Sequence, residues 1–240
     1  MKKLGIAVWG LGNHALNRII PAINSVQELS LIGVCSRNKN KVLECTENWD
    51  CHGWVDSSEM LSNSSIDVIY ISTPIGVHFN QAIQALKAGK HVWCEKPLTC
   101  DYENTIELVK LAKENKKMIT EAFMFLYHPQ FNKVQDFVKD KKTGHIFSVV
   151  CRFGIPKIKN PGFRIDPTLG GGALWDVASY TVAAVLALYS DLQVKVLFSE
   201  VCKKENSPVD SEGRAVLRFS NGSSAYLEWG IEVGYKNEIE

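Results

Sequence analysis

Residues 170–188 read GGGALWDVASYTVAAVLAL, an apolar run that opens on three glycines and carries one carboxylate and one phenol, Asp176 and Tyr180. The two lie four residues apart, so on a helix both side chains point to one face. Two readings stand side by side. One is structural, since an aspartate near a helix N-terminus is favourable and tyrosine is common in cores. The other is chemical, a polar pair held on one face for a ligand. A third residue able to do chemistry lies in AGKHVWCEKP, residues 88–97, where Lys96 falls at the C-terminal end of an expected parallel strand. Ligands of such sheets bind beyond those strand ends, although a lysine at the start of a loop also serves simply as surface. Pro97 leaves the Lys96–Pro97 peptide open to either isomer.

A binding element precedes these residues in the chain. Gly10-Leu11-Gly12-Asn13-His14-Ala15 follows a β-rich run and opens an expected helix, Asn13 to about Val26, with a kink at Pro21. Gly10 and Gly12 permit a tight turn and close approach of a pyrophosphate, which then sits at the helix N-terminus beside Asn13 and His14. Ala15 at the third position still permits close helix–strand packing. An NAD site places an acidic residue about 20 residues on, at the end of the second strand. Here that strand ends Val34-Cys35-Ser36-Arg37-Asn38-Lys39, without a carboxylate. The Ser36 hydroxyl and the Arg37 guanidinium suit a 2′-phosphate, with Lys41 assisting; the plain alternative is that Arg37 faces water. The missing acid favours NADP(H) over NAD(H).

Position of these residues rests on two kinds of element. Up to about residue 120, short apolar runs at 4–10, 29–36, 67–73, 91–94 and 118–122 read as strands, with helices at 81–88 and 101–115. That alternation implies a parallel sheet covered on both faces. Beyond Pro129 the expected strands are 146–153, 194–201, 214–219 and 223–229, with Asn221-Gly222 as a type I′ hairpin signal. A single convincing helix, 171–189, joins them, so this half reads as an antiparallel sheet plus one helix. The fold class is therefore an α/β doubly wound domain, 1–122, followed by an α+β domain, 123–240.

Composition narrows the function classes. The formal net charge is +1 with no basic block, which argues against nucleic acid as a partner. The uncharged apolar stretch 177–189 is short of the ~20 residues that span a membrane, and the N-terminus reads as a buried strand rather than a signal. A cytoplasmic protein is expected. The seven cysteines form no C-x-x-C pair, so reduced thiols are expected rather than a disulfide framework or a metal site.

Taken together, the glycine loop, TPIGVH (73–78), AGKHVWCEKP, EAFMFLYHPQ (121–130) and GGGALWDVASY (170–180) resemble the Gfo/Idh/MocA oxidoreductase family over nearly the whole chain. The resemblance implies a Rossmann domain and a C-terminal domain with an open, mainly antiparallel sheet. It implies that Lys96 is catalytic, that Thr73, Pro74 and His78 lie along the cofactor with Glu95, and that Asp176 holds a substrate hydroxyl. Reducing a ketone needs a hydride from the nicotinamide and a proton for the developing alkoxide. A lysine ammonium stabilises that charge and a tyrosine donates the proton, which gives Lys96 and Tyr180 their roles. Many members carry histidine where this chain has Tyr180. The tyrosine branch resembles glucose–fructose oxidoreductase, dimeric dihydrodiol dehydrogenase and the sugar ketoreductases, commonly NADP(H) enzymes. Arg164 is a candidate substrate contact, His128 a structural or pocket-edge residue, and His91 a packing residue.

The chain departs from the family pattern at Leu126, where arginine is usual, and at Ala178, where glycine is usual. Family members also run on further, so the sheet is expected to lack its last strands and expose an edge, altering the homo-oligomer that the resemblance implies. The expected function is an NADP(H)-dependent oxidoreductase acting at a secondary alcohol or ketone of a sugar-like small molecule, nucleotide-linked sugars included. The alternative is a non-catalytic NAD(P)-binding sensor or scaffold with the same fold.

Overall fold

The computed structural model describes residues 3–140 and 144–240. The chain divides into two compact units, Met1–Ala122 and Phe123–Glu240.

In the first unit six strands form one all-parallel sheet: β1 (Leu4–Trp9), β2 (Leu29–Cys35), β3 (His52–Trp54), β4 (Val68–Ile71), β5 (His91–Cys94) and β6 (Ile119–Glu121), in the order β3-β2-β1-β4-β5-β6. Helices α1 (Ile20–Ser25), α2 (Lys39–Trp49), α3 (Ser57–Ser62), α4 (His78–Lys87) and α5 (Tyr102–Glu114) connect them. Alternate side chains of β1 serve separate cores, as the period of two in a strand requires. Ile6 and Val8 pack with Ala15, Ile20 and Val42, while Ala7 and Trp9 pack with Met60, Leu86 and Leu108. The strand order reverses between β1 and β4, the switch point at which open α/β sheets bind ligands.

Three elements here lay outside the sequence reading: β3, α2 and α3. α2 buries only Val42 and Cys45, so its apolar stripe is too thin to show as a period. What marks it is a cap, the Asn38 side chain accepting from Lys41 N at 3.1 Å. α3 is a six-residue helix with the same kind of start, Asp56 accepting from Ser58 N at 2.8 Å. The helix expected at 13–26 is also not uniform. Ala15–Ile19 is wound as a π-helix and α1 takes over at Ile20, with Pro21 in its first turn. Pro21 has no N–H to give, and the change of winding falls just before it.

The second unit holds β7 (Ser148–Ile155), β8 (Val194–Lys203), β9 (Asp210–Phe219), β10 (Ser224–Ile231) and β11 (Lys236–Ile239) in the order β11-β7-β10-β9-β8. The sheet is mixed: β10 and β7 run parallel, and the other pairs are antiparallel. One face carries Val149, Cys151, Leu217, Phe219, Ala225, Leu227 and Trp229 into a core with Val177, Val185 and Leu188. Among the described residues this unit has two α-helices rather than the one expected. α6 (Pro129–Lys139) buries only Phe131, and His128 caps it by accepting from Gln130 N at 3.1 Å. His128 is thus the structural residue of its motif. The stretch expected as one helix, 171–189, is a π-helical turn at Leu174–Ala178 that passes into α7 (Ser179–Leu188).

The hairpin between β9 and β10 is not type I′. That turn needs two residues at positive φ, and here only Gly222 has it, at +89°. The loop has three residues, with Gly222 N donating to Phe219 O and Phe219 N to Ser223 O, both at 2.9 Å. The helical run Pro167–Leu188 is long and apolar enough, by length and composition alone, to cross a membrane, a longer span than the uncharged stretch suggested; 56% of its apolar window is buried. Four of the seven cysteines are buried.

At the amino ends of the sheet, Lys90 is 7% exposed, and its Nζ donates to Asn63 O at 2.7 Å and Ile66 O at 2.9 Å. Burial pushes the Lys90 ammonium below its ordinary pKa, against the pull of Asp67. Lys90→Met keeps the stem and strands both carbonyls. Urea unfolding should show a loss of about 1–3 kcal/mol, the scale of leaving a buried polar group unpaired; an unchanged midpoint would show that water replaces the ammonium.

Candidate functional site

The carboxyl ends of β1, β2, β4 and β5 gather most of the residues singled out in the first unit. Gly10 leaves β1 at φ +106°, and a Cβ there would stand 2.5 Å from Ser72 O and 2.7 Å from Thr73 Cγ2. The turn therefore needs glycine on both conformational and steric grounds. Gly12 differs, since nothing lies within 4 Å of a Cβ placed on it. Its backbone borders open space at the start of a helix, as a diphosphate site requires. Asn13 and His14 follow, both exposed.

At the end of β2, Arg37 is exposed, and Ser36 Oγ accepts from Asn38 N at 3.2 Å. Lys41 reaches back to the glycine loop, donating from Nζ to Leu11 O at 3.0 Å. The loop after β2 is thereby joined to the loop after β1. No carboxylate lies between Cys35 and Lys41.

Past β4, Thr73 Oγ1 donates to Gln81 Oε1 at 2.5 Å. Pro74 begins the short turn into α4, where His78 is fully buried. Its ring lies 2.9 Å from two carbonyls, Nδ1 at Pro97 O and Nε2 at Thr73 O. Burial pushes the His78 imidazole below its usual pKa, although both carbonyls and Glu95 pull it up. The neutral ring has one N–H, which donates to one of these carbonyls while the other nitrogen faces the second, so His78 sits between the Thr73 turn and the Lys96-Pro97 segment. The Lys96–Pro97 peptide is cis.

Glu95 Oε1 accepts from His14 Nε2 at 3.0 Å and from Tyr70 OH at 2.5 Å. Burial pushes the Glu95 carboxyl up, but hydrogen bonds from His14 and Tyr70, with the charges of His14 and Lys96, hold it below its ordinary pKa. Lys96 itself is half-buried. Glu121, at the end of β6, accepts from Leu98 N at 2.6 Å; burial raises its carboxyl, against that bond and the charge of Lys96. Tyr70 and Glu121 join these candidates only through the fold. Tyr70 sits in the apolar run VIYI, where nothing distinguishes a phenol that ends on a carboxylate from one that packs. His91 caps the neighbouring strand, its Nδ1 accepting from Met118 N at 3.0 Å.

In the second unit Asp176 is 6% exposed and pairs with Arg164, whose Nε donates to Asp176 Oδ2 at 2.5 Å. The Arg164 guanidinium also lies over the Phe163 ring, 4.9 Å from its centroid. Two candidates chosen separately are thus one ion pair. Tyr180 is half-buried against Phe153, with ring centroids 4.9 Å apart, and near Phe123 and Phe125. The turn that carries Asp176 is pinned by a residue the sequence did not reveal. Asp210 Oδ2 accepts from Leu174 N at 2.7 Å, where the first N–H groups of the helix lack partners. Gly172, at φ +109°, allows that approach, because a Cβ there would collide with the Asp210 carboxylate. Gly171 N and Gly172 N donate to Asp166 O and Arg164 O, both at 2.9 Å, which folds the Arg164 loop onto the turn. Among the described residues no group of three or more His, Cys, Asp or Glu is placed to hold a metal ion.

Comparison with known proteins bears on the family and the fold. Residues 4–123 match the family described as "Oxidoreductase family, NAD-binding Rossmann fold", and residues 131–240 match the GFO/IDH/MocA C-terminal domain. The chain is 32% identical over 237 residues to a dTDP-3,4-didehydro-2,6-dideoxy-alpha-D-glucose 3-reductase of Actinomadura kijaniata, covering 98% of this chain and 70% of that protein. A reductase of the same name from Saccharopolyspora spinosa is 30% identical over 239 residues, covering 100% and 72%. Among solved structures, KijD10, a 3-ketoreductase from Actinomadura kijaniata in complex with NADP and TDP-benzene, superposes with a TM-score of 0.92 at 29% identity, covering 99% of this chain and 73% of that one. Two family profiles that together span nearly all the sequence, on a Rossmann sheet followed by a mixed open sheet, place this chain in the Gfo/Idh/MocA oxidoreductase family.

Proposed function

We propose that this protein is an NADP(H)-dependent ketoreductase of a sugar-like substrate, with a nucleotide-linked sugar ketone as the substrate class. The observation that carries the cofactor half is the join at the ends of β1 and β2: an open Gly12 backbone, and a neighbouring loop with Ser36, Arg37 and Lys41 but no carboxylate. An acid there would take the ribose hydroxyls of NAD; a serine, an arginine and a lysine suit a 2′-phosphate. The substrate half leans on relatives, several named as reductases of a dTDP-linked keto sugar.

The nicotinamide, when bound, supplies the hydride. The rest falls to side chains of this chain. Lys96 takes the role of the ammonium that stabilises the negative charge of a developing alkoxide, and Tyr180 the role of proton donor. Asp176, fixed by Arg164, accepts a hydrogen bond from a hydroxyl of the sugar. When the cofactor is bound, Gly10, Gly12 and Asn13 would lie along its pyrophosphate, with His14 on the same loop, and Thr73 and Pro74 would lie along it past β4. His78 acts through the backbone it holds, since both its ring nitrogens already face carbonyls.

Two measurements test the reading. Lys96→Ala and Tyr180→Phe should bind NADPH with nearly unchanged affinity and lower kcat by ~10²-fold or more, the usual scale of lost acid–base help; near-normal turnover in either removes that role. Arg37→Ala should weaken NADPH binding about tenfold, the worth of one charge-assisted hydrogen bond, and leave NADH binding unchanged. Tighter binding of NADH than NADPH by the wild type would overturn the cofactor assignment.

A further inference from the structure

One contact at the strand ends joins the loop after β1 to the end of β5, across β4. His14 comes from the first turn after β1, Tyr70 from β4 and Glu95 from the end of β5, and β4 lies between β1 and β5 in the sheet. His14 Nε2 and Tyr70 OH both donate to the same oxygen, Glu95 Oε1, at 3.0 and 2.5 Å. The bond thus crosses the crevice in which ligands of such sheets bind. Tyr70 is buried at 1% exposure and anchors the carboxylate from below. His14 is the movable member, with 41% of its side chain exposed against 14% for Glu95.

We propose that His14 is a positioning residue that acts through Glu95, clasping the glycine loop to the Glu95-Lys96 segment and holding the Glu95 carboxylate in place for the bound dinucleotide. The proposal rests on the cofactor reading given above. Its physical content is a division of labour at one oxygen. Tyr70 alone holds Glu95 by a neutral donor from one side, and the carboxylate keeps rotational freedom. A second donor from the glycine-loop side fixes the plane of the carboxylate and sets the distance between the two loops. When protonated, the imidazole adds a positive charge where a negative one is buried, and charge-assisted hydrogen bonds are the stronger kind. The groups that face Glu95 are His14 from the turn before α1, Tyr70 from β4, His78 from α4, and Cys94 and Lys96 on its own segment. Burial pushes the carboxyl up, and His14 is foremost among the groups that bring it down.

The test is the pH dependence of NADPH affinity, measured by fluorescence titration of the purified protein, for the wild type, His14→Ala and His14→Gln. Removing His14 lets the Glu95 carboxyl take its proton at higher pH, so the acid limb of the affinity profile should move up. At neutral pH His14→Ala should bind NADPH about three- to tenfold more weakly, the scale of one charge-assisted hydrogen bond reduced for the exposure of the ring. Glutamine keeps a donor without the charge, so His14→Gln should bind near the wild-type level at neutral pH yet still shift the acid limb. A purely structural histidine would not move that limb. If His14→Ala fails to fold, the glutamine variant decides by the limb alone. Unshifted limbs in the folded variants overturn the proposal while leaving the cofactor reading intact; absence of NADPH binding by the wild type overturns both.

Discussion

Loops that leave neighbouring parallel strands share no backbone ladder, and the site in the first unit depends on side chains that supply the missing ties. Strands β1, β4 and β5 deliver their loops to one edge, where the backbone carbonyls and amides have left the sheet. His78 meets two of those carbonyls with a single ring, Lys41 meets another, and Glu121 takes the amide of Leu98. Each tie runs from a side chain on one element to the backbone of another. The loops hold their spacing because buried and half-buried side chains span them, while the sheet sets only their starting points.

The second unit solves the same problem with different parts. A helix that must present a buried carboxylate near its start also has unpaired N–H groups there. Asp210 takes one of them from the strand side, and the Arg164 loop folds over the glycines to fix the partner of Asp176. The π-helical winding at Leu174–Ala178 lies in this pinned region and gives way to regular α-helix beyond it. Irregular helix is common where function is placed, and here it coincides with close backbone packing on both sides.

Much of this was legible in the sequence, and the pattern of what was not is physical. Strands β1, β2, β4 and β5 announce themselves because buried parallel strands are nearly continuous apolar runs. The polar helices α2 and α6 bury one or two residues each, so only their caps at Asn38 and His128 mark them. Asn221-Gly222 pointed to a hairpin, and it is one, but the backbone spread the turn over three residues with a single left-handed glycine. Candidate site residues with a local signature, such as the glycine loop and the Lys96-Pro97 segment, stand out in the sequence by that signature. Tyr70, Glu121 and Asp210 carry none: their partners, Glu95, Leu98 and Leu174, lie 23 to 36 positions away in the chain. Only the fold makes those pairs neighbours.

On the NADP(H) reading proposed above, the bond from Lys41 to Leu11 bears on any attempt to retune this protein toward the other nicotinamide cofactor. A designer would begin by stripping the cations from the loop after β2 and installing an acid. Lys41 is also a brace of the glycine turn, so its removal would slacken the cradle for the diphosphate, a moiety both cofactors share. On the same reading Arg37, exposed and outside that brace, would be the position at which to rewrite discrimination without loosening the grip common to both.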